Sequence, residues 1–331
     1  MKLPKRIKDL LVQKQDFIDS QRGRMEASVI KLQSQLLSNI ISDVIPELDV
    51  KDGLIQNTAK NYRLISTLDK TYKVFQTTAS GVILGQITLT TSKIVKLSTE
   101  YFNTILFKEG IPLTNVLIER FDNVVAKASK LIDYKIGLTG DKVFKGGWLD
   151  SFFKSNTVGL ELKEMTSKAV TSNMDMKDFV KLLKEKVTGS ADYKGSLEKQ
   201  FDAYGYDLYQ QYDSAYNLSL GNEFGFTYFI YQGGLILDSR DFCAAHNNKV
   251  WSKEEMATWP QWVPADGEYP AGYEIKAKDL YSVPSYITSK PGYDPGLDRG
   301  GWKCRHALGW IADELAFRLR PELKRKINLF I

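Results

Sequence analysis

Apolar residues recur at three- and four-residue steps through the first 44 positions. Ile7, Leu10, Leu11, Phe17, Ile18, Met25, Val29, Ile30, Leu32, Leu36, Leu37, Ile40, Ile41 and Val44 mark the stripe. That period belongs to one face of an α-helix and predicts a long helix over 5–44, ended by Pro46. Prolines then occur at Pro112 and not again until Pro260. A proline-free interior permits long helices, because proline both removes a backbone donor and clashes with the preceding turn. The pattern predicts a second long helix over 57–107, stopping before Gly110-Ile111-Pro112. Within it, residues 80–91 are rich in β-branched side chains and fit a strand as well. Read as helix, the segment places Gly81 and Gly85 on one face, open to close approach by another helix. Shorter helices are predicted at 113–133, 157–169, 174–186 and 192–219, with Asp175 as a capping residue. The last carries Phe201, Tyr204, Leu208, Tyr209, Tyr212 and Tyr216. Such a stripe can stack nucleobases, but at helical spacing it reads first as core or a helix–helix seam.

The texture changes after Gly221. Residues Phe226 to Tyr231 read as a strand, Gln232-Gly233-Gly234 as a turn, and Leu235-Ile236-Leu237-Asp238 as the returning strand of a hairpin. Lys249-Val250-Trp251 reads as another short strand, and Ser252-Lys253-Glu254-Glu255 as a capping box opening a helix. A Pro/Gly/Tyr-rich loop follows over 260–300, and a final helix over 311–319. The fold class expected is mainly α: a long-helix region over 1–221, then a small α+β module over 222–331. Five of the six tryptophans lie between Trp251 and Trp310. The helical region is expected to supply docking surface, with the C-terminal module folding even without residues 1–50.

Composition narrows the class. The chain has 331 residues, enough for two domains, and its apolar content is that of a globular protein. No apolar run reaches membrane-spanning length, so no membrane partner is expected. The basic start, Met1 to Lys8, lacks a following apolar stretch, and residence in the cytosol is expected. The net charge of +5 arises within residues 1–111, which hold 16 basic against 11 acidic side chains. Such a bias can help contact DNA or an acidic protein surface, but it reads first as a solvated helical face.

The chain's two cysteines and two histidines fall in two clusters, Cys243-Ala244-Ala245-His246 and Cys304-Arg305-His306. Thiolate and imidazole are the ligands that structural zinc prefers. Cys243 and His246 share a face on a helical turn, and Cys304 and His306 share one on an extended segment. Three readings stay open: a Cys2His2 zinc site, clusters packed without metal, and a Cys243–Cys304 disulfide. Arg240 and Arg305 flank the cysteines, with Asp238 or Asp241 as carboxylate partners or a bound anion as the alternative.

These motifs resemble the phage head morphogenesis, or minor head, proteins related to the F protein of phage Mu. The resemblance covers roughly residues 225–310. It runs through Tyr231-Gln232-Gly233, Asp238-Ser239-Arg240-Asp241-Phe242-Cys243, Asn248-Lys249-Val250-Trp251 and Gly300-Gly301-Trp302-Lys303-Cys304-Arg305-His306. Many relatives carry Cys-x-x-Cys and His-Pro-x-Cys-Arg; here His246 stands at the second position of the first pair and His-Pro is missing. The resemblance implies a structural virion protein, assembled in the host cytoplasm, with portal and capsid proteins as partners. It implies a role in capsid assembly and in DNA packaging or delivery, and no enzyme activity. The alternative from another class is a nuclease, with His246 and His306 as an acid–base pair and Arg240 or Arg305 stabilising the anion.

Overall fold

The computed structural model describes residues 3–106, 115–136, 138–139, 142–143, 158–205, 207–237, 239–259, 293–301 and 303–327. The protein is mainly helical, with long helices leading to a small sheet-bearing C-terminal module that carries the Cys/His cluster. Helix α1 covers Lys5–Asp43, α2 Ala59–Leu106, α3 Asn115–Ile136, α4 Val158–Thr171 and α5 Met176–Thr188. Residues 80–91 are helical despite their β-branched content: Ile83 and Ile87 are buried while Val82 and Leu89 are exposed. Packing on a helical period has overridden local propensity. Gly81 and Gly85 do not serve as a close-approach face. Among the described residues, nothing from another element lies within 4 Å of where a Cβ would sit on either.

The predicted 192–219 helix is interrupted. Helix α6 spans Ser196–Gln200, a π-turn follows over Phe201–Gly205, and α7 runs from Leu208 to Glu223. Leu208, Tyr209, Tyr212 and Tyr216 are all buried, so the aromatic stripe is core. The side chain of Tyr204 lies outside the described residues.

Contacts divide the chain into two compact units, neither continuous in sequence. One comprises residues 21–89 and 133–206. Its core includes Val29, Leu36, Ile83, Phe179 and Leu183. Asp175 caps α5 by accepting from the backbone N–H groups of Lys177 and Asp178. The short hairpin of β1 (Val50–Lys51) and β2 (Leu54–Ile55) joins this cap through Ile55 N–H to Met174 carbonyl at 3.0 Å.

The other unit comprises residues 1–20, 90–132 and 207–331. The texture change at 221/222 therefore falls inside it. Strands β3 (Leu138–Thr139) and β4 (Lys142–Val143) form a small separate hairpin, and the unit's own sheet is built from β5 (Tyr228–Gln232), β6 (Lys249–Ser252) and β7 (Ala307–Ile311). The order is β6-β5-β7, antiparallel throughout. In register, Phe229 lies between Trp251 and Trp310. The Leu235–Asp238 return strand does not form. Both edges of β5 are already paired, and Leu235, Ile236 and Leu237 are exposed instead; Asp238 is outside the described residues. Strand β7 begins where the extended cluster ends, and the helix predicted over 311–319 starts only at Asp313, with a further helix following it.

The first turns of α1 belong to this unit's core. Ile7, Leu10 and Leu11 are buried with Tyr101, Tyr216 and Trp310. Lys14 and Asp213, both buried, form an ion pair at 2.9 Å. Residues 1–50 thus include side chains that pack in one core with the C-terminal strands, so the boundary at 221/222 does not mark the edge of this unit. At the other end, Arg320 is buried and grips Glu255 through two 2.7 Å contacts. Glu255 also completes the capping box with Ser252 on α9 (Lys253–Thr258), and α11 (Asp313–Leu319) and α12 (Glu322–Ile327) follow β7.

Candidate metal centre

Four short pieces of the same unit meet over β5. Tyr231 lies near the end of β5 and is fully buried. Helix α8 (Asp241–His246) supplies Cys243. The turn from Asn247 to Asn248 returns the chain to β6, with Asn248 N–H donating to the Tyr231 carbonyl at 2.7 Å. Asn248 has φ +59, a left-handed conformation that asparagine tolerates better than most residues. On the far side, α10 (Pro295–Asp298) is capped by Asp294 and followed by a tight turn that delivers Cys304 and His306 into β7. Arg299, Gly301 and Lys303 in that turn all have positive φ.

Cys243, Cys304 and His306 come together in the core, each offering a ligand atom within 4.8 Å of the others. The sulfurs are 3.8 Å apart, and Cys304 Sγ is 3.8 Å from His306 Nδ1. With metal–sulfur bonds of about 2.3 Å and metal–nitrogen bonds of about 2.0–2.1 Å, a tetrahedron has edges of about 3.8 and 3.6 Å. The observed spacings match those edges. Both cysteines are free thiols, so the disulfide reading does not hold in this structure. Gly300 leaves the necessary room. A Cβ there would lie 2.6 Å from Cys243 Sγ and 3.2 Å from Cys304 Sγ, on the space an ion bound to both sulfurs would use. The donor set and the cradle both fit a metal ion.

Electrostatics favours one thiolate in the pair. Burial pushes the Cys304 thiol up, but hydrogen bonds with Cys243 and His306, helped by the charge of Arg299, outweigh it and hold the group well below its ordinary value. Cys243, bonded to that same sulfur and buried, is pushed up. Arg299 is buried and donates to the Gln210 carbonyl and to Ser214 Oγ. Among the described residues it has no carboxylate partner, and its Nε is unbonded.

His246, expected as a ligand, is not in the trio. Its ring stacks on Phe242 at 3.9 Å and on Trp251 at 4.3 Å, and Nδ1 donates to the Phe242 carbonyl at 2.7 Å. The three-residue offset from Cys243 gave a shared helical face, but a six-residue helix ends at His246 and its ring folds back against its own first turn. Burial lowers its pKa to about 3, so it is neutral. Arg240 and Arg305 are both half-buried. Their expected partners fall outside the described residues: Asp238 entirely, and the side chain of Asp241.

Sequence reading missed Tyr231, Arg299 and Gly300 as parts of this site. Tyr231 sat in a quoted motif, but nothing local shows that its hydroxyl reaches across the sheet to 3.2 Å from Cys304 Sγ. No helix among the described residues is long and apolar enough to cross a membrane. Comparison with family models, curated proteins and solved structures gives no match.

Proposed function

We propose that this chain is a structural minor head protein of a tailed phage, bound to the portal during capsid assembly in the host cytoplasm and retained in the virion. In this reading Cys243, Cys304 and His306 hold zinc, which ties α8 and the turn before β7 to the sheet. The observation that carries the proposal is convergence. The separated motifs of the sequence resemblance, around Tyr231, Cys243, Trp251 and Cys304, fold into one buried centre. A centre buried in this way suits a rigid adaptor, because it ties separate pieces of the chain together inside the core, out of reach of a substrate.

Burial weighs against the nuclease alternative. His246 is 0 % exposed and His306 is 2 % exposed, and an acid–base pair must touch a phosphodiester delivered from solvent. The basic excess in the first third supplies charge for contact with packaged DNA, and the portal and capsid proteins are the proposed partners.

The test is assembly itself. Heads purified from infected cells should contain the chain in few copies, together with the portal, and purified protein should carry one zinc per chain. Heads that lack the chain would refute the adaptor reading. Cleavage of RNA or DNA that disappears in His246→Ala would move the assignment to the nuclease.

A further inference from the structure

The trio leaves one corner of a tetrahedron open, and a fourth donor, the Tyr231 hydroxyl, lies beside both sulfurs. The Tyr231 hydroxyl is 3.2 Å from Cys304 Sγ and 3.6 Å from Cys243 Sγ. For metal–sulfur bonds of about 2.3 Å and metal–oxygen bonds of about 2.0 Å, the sulfur–oxygen edge of a tetrahedron is about 3.5 Å. The two observed distances bracket that value. Tyr231 is also fixed in place. Its ring stacks on His306 at 4.6 Å with an 11° interplanar angle, and packs edge-on against Phe242 and Trp259. The missing Cβ of Gly300 opens the same space from the side, 3.4 Å from the Tyr231 oxygen as well as against both sulfurs.

We infer that the phenolic oxygen of Tyr231 is the fourth ligand, giving a closed Cys243–Cys304–His306–Tyr231 metal centre. This rests on the zinc reading above. On binding, the Cys243 thiol proton and the Tyr231 phenolic proton both leave to solvent as the zinc–sulfur and zinc–oxygen bonds form. Two thiolates, one phenolate and neutral histidine around a divalent ion leave a single net negative charge. A buried charge needs a partner, and Arg299 answers that need. It is a buried cation with no carboxylate partner among the described residues, one residue before the glycine that abuts the sulfurs. His246, stacked away between Phe242 and Trp251, is not required.

The experiment is a zinc titration of the full-length, metal-stripped chain at neutral pH, following bound zinc and the near-ultraviolet tyrosinate difference band together. The expected result is one tyrosinate formed for each zinc bound. Tyr231→Phe should still take up zinc through the remaining three ligands but lose the band entirely, with affinity reduced at least about tenfold, since even partners outside the ligand set cost ~10–100-fold. Stoichiometric zinc in the wild type with no tyrosinate band would overturn the fourth-ligand assignment while leaving the zinc site standing. No zinc uptake by the wild type would remove both. The wild-type titration decides the matter even if the variant fails to fold.

Discussion

Acidification should weaken the C-terminal module through one residue, His246. Its ring is 0 % exposed, held between Phe242 and Trp251, and burial lowers its pKa from 6.5 to about 3. In the unfolded chain it titrates at its ordinary value. Between the two values the unfolded state binds the extra proton, so stability is complete above about pH 6.5 and falls as pH drops toward about 3. From about pH 7 to pH 5 the linkage amounts to about 2 kcal/mol, at 1.36 kcal/mol per unit. Urea unfolding followed by tryptophan fluorescence reports on this region, because Trp251, Trp259 and Trp310 are all buried in it. The comparison needed is wild type against His246→Gln at both pH values. The variant starts less stable, having lost its stacking contacts, but its further loss on acidification should be smaller by about 2 kcal/mol. If metal is bound, its release by acid is common to both proteins and cancels in the double difference, because His246 is not one of the residues that could hold it. Equal pH dependence in the two proteins would refute the claim that His246 is buried and neutral.

Gly300→Ala should cut zinc uptake, measured by metal analysis, and destabilise by roughly 1–3 kcal/mol, because its Cβ would press on Cys243 Sγ at 2.6 Å. Arg320→Met should destabilise toward the lower end of ~3–5 kcal/mol in urea melts, since Glu255 keeps some solvent contact. Gly221→Ala drives a Cβ to 2.4 Å from the Trp310 ring and should cost roughly 1–3 kcal/mol, with shifted tryptophan emission. Leu237→Asp should change stability by less than ~0.5 kcal/mol, because Leu237 is exposed outside the sheet; a larger loss would restore the hairpin reading.

What the sequence determined by itself is what depends on near neighbours. The periodic stripes placed α1 and α2 within a few residues, Asp175 and Ser252 announced their caps, and Lys249 to Trp251 formed a strand. Each depends on residues within one or two turns. The pairing of the two Cys/His clusters was also readable, because they hold all the chain's thiols and imidazoles. Tertiary structure decided the rest. Whether Leu235–Leu237 pairs depends on who occupies the edges of β5, and β7 arrives from about seventy residues later. The place of Ile7 and Leu11 beside Trp310 depends on which ends of a discontinuous unit meet. That Tyr231 rather than His246 approaches the sulfurs has the same cause. Spacing along a helix fixes a shared face, but which donor atom reaches a buried sulfur is set by the strand across the core.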